Sequence, residues 1–139
     1  MGVGIKLGSI TDEIGSDAFL YAFFSTITGN LEPAGWGTRF PTIMHTLYGG
    51  TLPQKDAAGA LAEIRTIRNE LASLSPHSVI WSFEDRTLQP PWSSNISTDI
   101  NNLGDYFVTA HGRDLIMLLI EVLEELACGG EASARIVSY

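Results

Sequence analysis

The residue types best suited to chemistry in this chain are carboxylates next to a tryptophan. Glu84 and Asp85 follow the apolar run Val79-Ile80-Trp81-Ser82-Phe83 and precede Leu88-Gln89-Pro90-Pro91-Trp92. Paired acids can act as general acid and base when both reach one substrate. On a continuing strand, neighbouring side chains point to opposite faces, which is wrong for that task. At a strand end the backbone can turn and bring both to one rim. Asp12 and Glu13 also follow a predicted strand. If that strand runs parallel to residues 79–83, the four carboxylates gather on one sheet edge. Asp105 joins them if its own strand runs antiparallel to residues 79–83. The alternative is a scatter of unrelated loop acids. Acids at a strand end beside a proline-stiffened Trp92 read as a gripping surface more than a reaction site.

Other catalytic signatures are missing. His45, His77 and His111 lie on separate elements, and none has a second ligand at helical i+3 or i+4 spacing. They read as surface or turn histidines. There is no G-x-S-x-G nucleophile elbow. The single cysteine, Cys128, excludes an intrachain disulfide. It falls after a helix C-terminus, where the dipole disfavours a thiolate. Gly2, Gly4 and Gly8 do not form a dinucleotide fingerprint, because the third glycine comes one place late. No cofactor and no metal is expected.

The 139 residues suit a single domain able to bury its own core. The hydrophobic share is 45% and the charged share 17%, ordinary for a globular chain. Residues 115–120 form the longest strongly apolar run, far short of the roughly 20 residues that cross a bilayer. Lacking an N-terminal apolar run, the chain reads as cytoplasmic, with no membrane partner. A net charge of −8 argues against a nucleic-acid partner, which needs a basic footprint. The acidity permits two readings: solubility, or attraction to a basic protein.

Val3, Ile5 and Leu7 alternate with glycines or lysine and predict a strand. Its bare glycine face suggests close approach of a helix. Residues 11–16 read as a loop, with Ser16 or Asp17 capping a helix to about Thr28 before Gly29-Asn30 stops it. Phe19, Phe23 and Ile27 share that helix's inner face. A short helix follows Pro41 and ends at Tyr48. Pro53 opens another, with Leu61, Ile64, Ile67, Leu71 and Leu74 inward and Glu63, Arg65, Asn69 and Glu70 facing water. Residues 79–83 and 106–109 are predicted strands, with a helical turn near residues 99–103. The last helix carries Leu115, Leu118, Leu119, Val122, Leu123 and Leu126 on one face. Ile116, Met117 and Ile120 make its first half apolar nearly all round. Residues 134–139 read as an edge strand. The expected fold is α+β: a small mixed sheet of about four strands packed by three to four helices. Trp81 is expected in the core. Trp36, between glycines, and Trp92 are each either a core plug or an interface anchor.

The blocks Gly2-Val3-Gly4-Ile5-Lys6-Leu7-Gly8-Ser9, Gly35-Trp36-Gly37-Thr38-Arg39-Phe40-Pro41, Val79-Ile80-Trp81 with Glu84-Asp85, Pro90-Pro91-Trp92, Asn95-Ile96-Ser97 and Asp105-Tyr106-Phe107-Val108-Thr109 together resemble the immunity protein 70 family of bacterial polymorphic-toxin and contact-dependent-inhibition systems. The likeness is spread over ordered short blocks along nearly the whole chain and is weakest at residues 131–139. It implies a small α+β protein without a catalytic motif. The implied partner is the C-terminal domain of a cognate toxin, often a nuclease with a basic site. The family supplies no contact residues to carry over. The candidate partner-binding residues are therefore Asp12, Glu13, Glu84, Asp85, Trp92 and Asp105. The competing expectation is a small hydrolase or ligand-binding protein using Glu84, Asp85 and Trp92 around a cleft.

Overall fold

The structure, a computed structural model, describes residues 2–92 and 100–139. The alternation of Val3, Ile5 and Leu7 forms strand β1, Gly2–Leu7. Gly8, at φ 63°, and Ser9 turn the chain back into β2, Ile10–Ser16. The remaining strands are β3, Thr51–Pro53, and β4, Ser133–Ser138. They form one sheet in the order β2-β1-β4-β3, antiparallel at every pairing. The α+β class and the strand number therefore stand, but the sheet is antiparallel rather than mixed.

The membership of the sheet also departs from expectation. The C-terminal strand is not an edge. β4 is sandwiched between β1 and β3, with Ile5 opposite Ile136 and Leu52 opposite Ala134. Residues 11–16, expected as a loop, are strand. Residues 79–83 and 106–109, expected as strands, are not; an isolated bridge of Val108 to Asp114 is all that the second retains. The glycine face of β1 meets no helix: a Cβ at Gly2 would overlap the Tyr139 ring, and one at Gly4 would meet the Asp12 carbonyl at 2.7 Å. That face is the outer one, as one-sided antiparallel sheets allow.

The other face carries Val3, Ile5, Ile14, Leu52 and Ala134 into one hydrophobic cluster with the helices. Helix α1, Asp17–Leu31, begins where Ser16 Oγ accepts the Phe19 N–H at 3.1 Å. It runs past Gly29-Asn30 instead of stopping there. Gly29 is a crossing point, since a Cβ would overlap the Ile80 side chain lying over it. Asn30 stays helical and donates to the Thr26 carbonyl and to that of Ser78, both at 3.0 Å.

The segment after Pro41 is a π-helix, Thr42–Leu47. Pro53 ends β3 rather than opening a helix; a 3₁₀ turn, Gln54–Asp56, then leads into α2, Ala57–Leu71. Its stripe Leu61, Ile64, Ile67 and Leu71 is buried as expected. Two of the acids expected to face water also have structural partners. Glu63 accepts the N–H groups of Thr42 and Ile43, and Glu70 holds Arg39 with bonds of 2.7 and 2.6 Å. Helix α3, Leu115–Cys128, starts at Asp114, whose Oδ1 accepts the Met117 N–H. It is buried on more than one side, with Ile116 and Ile120 covered as well as Leu119.

Leu119 is 1% exposed. Leu119→Ala should destabilise the protein by about 2–5 kcal/mol through lost transfer energy plus the cavity left behind. Urea denaturation measures this, and a loss on the scale of a surface change, below about 0.5 kcal/mol, would contradict the core assignment.

Candidate partner-binding surface

Four aromatic side chains from four parts of the chain meet at the surface. Tyr21 lies on α1 one turn after Asp17, so the two share a helix face. Trp36 comes from the loop after α1, Tyr48 from the end of the π-helix, and Phe83 from the irregular segment after α2. Tyr21 stacks on Trp36 at 6.2 Å between centroids; Trp36 lies 5.3 Å from Tyr48 and 6.1 Å from Phe83. The fully buried Phe24 supports Tyr48 from below at 4.6 Å. Tyr48 itself is 38% exposed.

The rings are held rigidly. Within the π-helix Tyr48 N–H reaches back to the Ile43 carbonyl, whereas Gly49 N–H bonds to that of His45. This change from an i+5 to an i+4 bond skips the Met44 carbonyl. The Trp36 indole N–H takes it at 2.9 Å. π-Turns often sit at functional positions; this one fixes an aromatic anchor. The flanking Gly35 and Gly37 have φ of 118° and 79°, and a Cβ at Gly37 would overlap the His45 ring. Glycine is required there.

A buried carboxylate sets the loop. Glu32, 2% exposed, accepts the N–H of Gly37 at 3.0 Å on Oε1 and those of Arg39 and Phe40 at 3.1 and 3.0 Å on Oε2. Nothing in sequence periodicity marks Glu32 as buried. The signal was the Gly35-Trp36-Gly37 tripeptide, whose backbone must be satisfied from somewhere.

Segment 79–85 reaches the same surface without being a strand. The Thr26 hydroxyl accepts the Ile80 N–H at 3.0 Å and donates to the Ile80 carbonyl at 3.2 Å; Ser25 Oγ accepts the Phe83 N–H. Helix side chains thus take the place of a neighbouring strand. Glu84 and Asp17 stand close enough to act on Tyr48. Burial pushes the Tyr48 phenol up, and Tyr21, Glu84 and Asp17 push it further.

The six candidate residues do not form one rim. Asp12 and Glu13 are successive residues of edge strand β2 and face opposite sides. Asp12 lies 3.7 Å from Arg113, which also binds Glu121 at 2.6 Å. These line a cleft of about 320 Å³ between the β1–β2 turn and α3, floored by Leu7, Leu118 and Val122. Glu13 pairs with His111 at 2.9 Å. Glu84 stands beside the aromatic surface. The Asp85 carboxyl is held below the usual range by hydrogen bonds from the Thr87 hydroxyl and N–H. Trp92 donates to the Tyr106 hydroxyl at 2.7 Å, and Asp105 accepts the Asn101 and Asn102 N–H groups. The parallel pairing that was to gather the acids fails because residues 79–83 join no sheet. Trp81 is half-buried, edge-on to Trp92 at 5.4 Å, rather than enclosed. Asn95-Ile96-Ser97 and the start of the turn near residue 99 lie outside the described residues. Among the described residues, no cluster of three His, Cys, Asp or Glu side chains could hold a metal ion. Likewise, no helix is long and apolar enough to cross a membrane.

Fold and surface define a small α+β protein that presents a rigid aromatic face with acids at its margin. The model of the family described as immunity protein 70 matches residues 5–133, and the chain belongs to that family. No curated protein and no solved structure matches it.

Two outcomes test this geometry. Glu32→Gln turns an amide NH₂ toward at least one backbone donor, so stability should fall by on the order of 1–3 kcal/mol. The Trp36 indole N–H resonance should broaden or shift while that of Trp92 stays in place. The second concerns Tyr48. A phenol whose pKa is raised by folding stabilises the native state below the ordinary value of 10.0 and loses that contribution as pH climbs through the folded value. Glu84→Gln should lower the Tyr48 titration midpoint without bringing it back to ordinary, because burial remains; ring NMR signals followed through alkaline pH would show it.

Proposed function

We propose that this protein neutralises a cognate bacterial toxin domain by forming a tight complex with it, without catalysing a reaction of its own. Membership of the immunity protein 70 family carries the reading. The net charge of −8 supports a basic partner, and a nuclease, whose site must hold phosphates, has that character. Such an inhibitor works in the cytoplasm, where the toxin's substrate lies, as part of a polymorphic-toxin or contact-dependent-inhibition system. Carboxylates can occupy positions that phosphates would take. Complementary fields then speed encounter, and truncating one member of a desolvated charge pair costs much of the affinity.

Glu84 and Asp85 are the first partner-facing candidates, because both are exposed and adjoin the aromatic face. Asp12 and Glu13 on β2 offer a second contact region. Trp92 and Asp105 would contribute by holding the intervening loop in place, given their internal hydrogen bonds.

The test uses the toxin domain encoded beside this gene. Purified together, the two should co-elute, and cells making the toxin should grow when this protein is co-expressed. The double variant Glu84→Lys/Asp85→Lys should remain folded, associate more slowly, show a weaker salt dependence and lose protection. A folded double variant that binds at the wild-type rate and still protects would move the interface elsewhere. Failure of the wild-type protein to bind or protect would sink the immunity reading itself.

A further inference from the structure

We propose that the Tyr21–Trp36–Tyr48 face, rimmed by Glu84 and Asp17, is the seat of an arginine side chain of a protein partner. The proposal rests on the toxin-binding reading only for who supplies the arginine; the chemistry of the seat stands on its own.

Three observations lead to it. The first is ring geometry. Tyr21 and Trp36 are stacked with 23° between planes, and Tyr48 is tilted by 59° to Trp36 at 5.3 Å. Phe24 also stacks on Trp36, at 6.4 Å, so the open ring of the group is the exposed Tyr48, with the partly exposed Tyr21 and Trp36 beside it. Guanidinium groups stack on aromatic faces and still present N–H donors at their edges, which an ammonium does less well. The second is charge. Asp17 lies on the same helix face as Tyr21, and Glu84 follows Phe83 directly, so a cation over the rings has carboxylates beside it. The upward push of both acids on the Tyr48 phenol fits that arrangement.

The third is availability. Several other surface acids already have cations: Glu70 has Arg39, Glu124 has Arg65, and Glu121 and Asp12 have Arg113, while Glu13 is hydrogen-bonded to His111. The cleft beside α3 is thus partly neutralised from within. Among the described residues Glu84 makes no ion pair. The cation–π contact seen among those residues, Arg39 over Phe40 at 4.7 Å, belongs to the Glu32 loop and not to this face. Among the described residues, rings and acids are thus arranged for a guanidinium, and no arginine is stacked on these rings.

The face is also preorganised. Trp36 is pinned by Met44 and its loop by Glu32, so little side-chain freedom is lost on binding. Rigid tryptophan and tyrosine are the residue types that dominate interface energetics.

The test needs no toxin. The full-length protein, labelled with ¹⁵N, is titrated with acetylated tri-arginine amide, and with the lysine and citrulline peptides of equal length. The Trp36 indole N–H should shift saturably with the arginine peptide, several-fold more weakly with lysine, and not with citrulline, which keeps the shape and loses the charge. The Trp92 indole, bonded to Tyr106, serves as internal reference. Tyr48→Ala and Glu84→Gln should each weaken arginine binding by about three- to thirtyfold, the range spanned by one cation–π or ion-pair contact. Tyr48→Phe should retain it, showing that the ring and not the fold is read. No saturable shift at Trp36, equal shifts with citrulline, or affinity unchanged in both weakening variants would overturn the proposal. Because growth protection is measured separately, a protein that still protects after these negative results would retain the immunity reading and lose this seat.

Discussion

Helix α1 is buried on every side through its middle turns, from Ala22 to Thr28. A helix enclosed in this way has no water for its polar side chains, so each must find a protein partner. Ser25, Thr26 and Asn30 find theirs in the backbone of residues 78–83. That pairing ties an irregular segment along the helix and delivers Phe83 and Glu84 to the protein surface. Thr28 is the exception: its hydroxyl is buried with no hydrogen-bond partner among the described residues. A buried orphan hydroxyl costs about 1–3 kcal/mol, so the packing around α1 must outweigh it.

Two carboxylates do for the next stretch what regular structure does elsewhere. Glu32 gathers the amides of Gly37, Arg39 and Phe40, and Glu63 those that open the π-helix. A buried ionised carboxylate is tolerable only when several donors converge on it. The converse also holds: a loop whose amides converge on one carboxylate has a single conformation. The Gly35-Trp36-Gly37 backbone is thereby locked, and Trp36 caps the carbonyl that the π-helix leaves open. The rigid aromatic face follows from these polar contacts more than from apolar packing.

This division of labour suits a binding protein. The sheet and the three α-helices supply the apolar mass, while the presented surface comes from segments outside the regular elements, apart from Asp17 and Tyr21 of α1. Loops held by a rigid scaffold are where recognition usually resides. Four scaffold acids, Asp12, Glu70, Glu121 and Glu124, are paired with arginines, whereas Glu84 beside the rings makes no ion pair among the described residues.

Local physics was legible in the chain. The period-two pattern of β1, the Ser16 cap, the inner stripes of α2 and α3, the exposed histidines and the net acidity all follow from residue type and spacing, because they depend on neighbours within a few positions. The short blocks also carried the family likeness. What tertiary structure alone decided was the partner of each extended segment. The run Val79-Ile80-Trp81-Ser82-Phe83 has the composition of a buried strand, yet its hydrogen bonds go to α1 side chains. Residues 10–16 and 133–138 look weaker as strands, yet they flank β1, and the C-terminal one sits inside the sheet. Gly29 looked like a helix stop and is the place where Ile80 crosses. Glu63 looked solvent-facing and, like Glu32, is a clasp. In each case a backbone donor or acceptor, or a gap the size of one side chain, had to be filled by a residue distant in sequence. Neither periodicity nor composition records which residue that is.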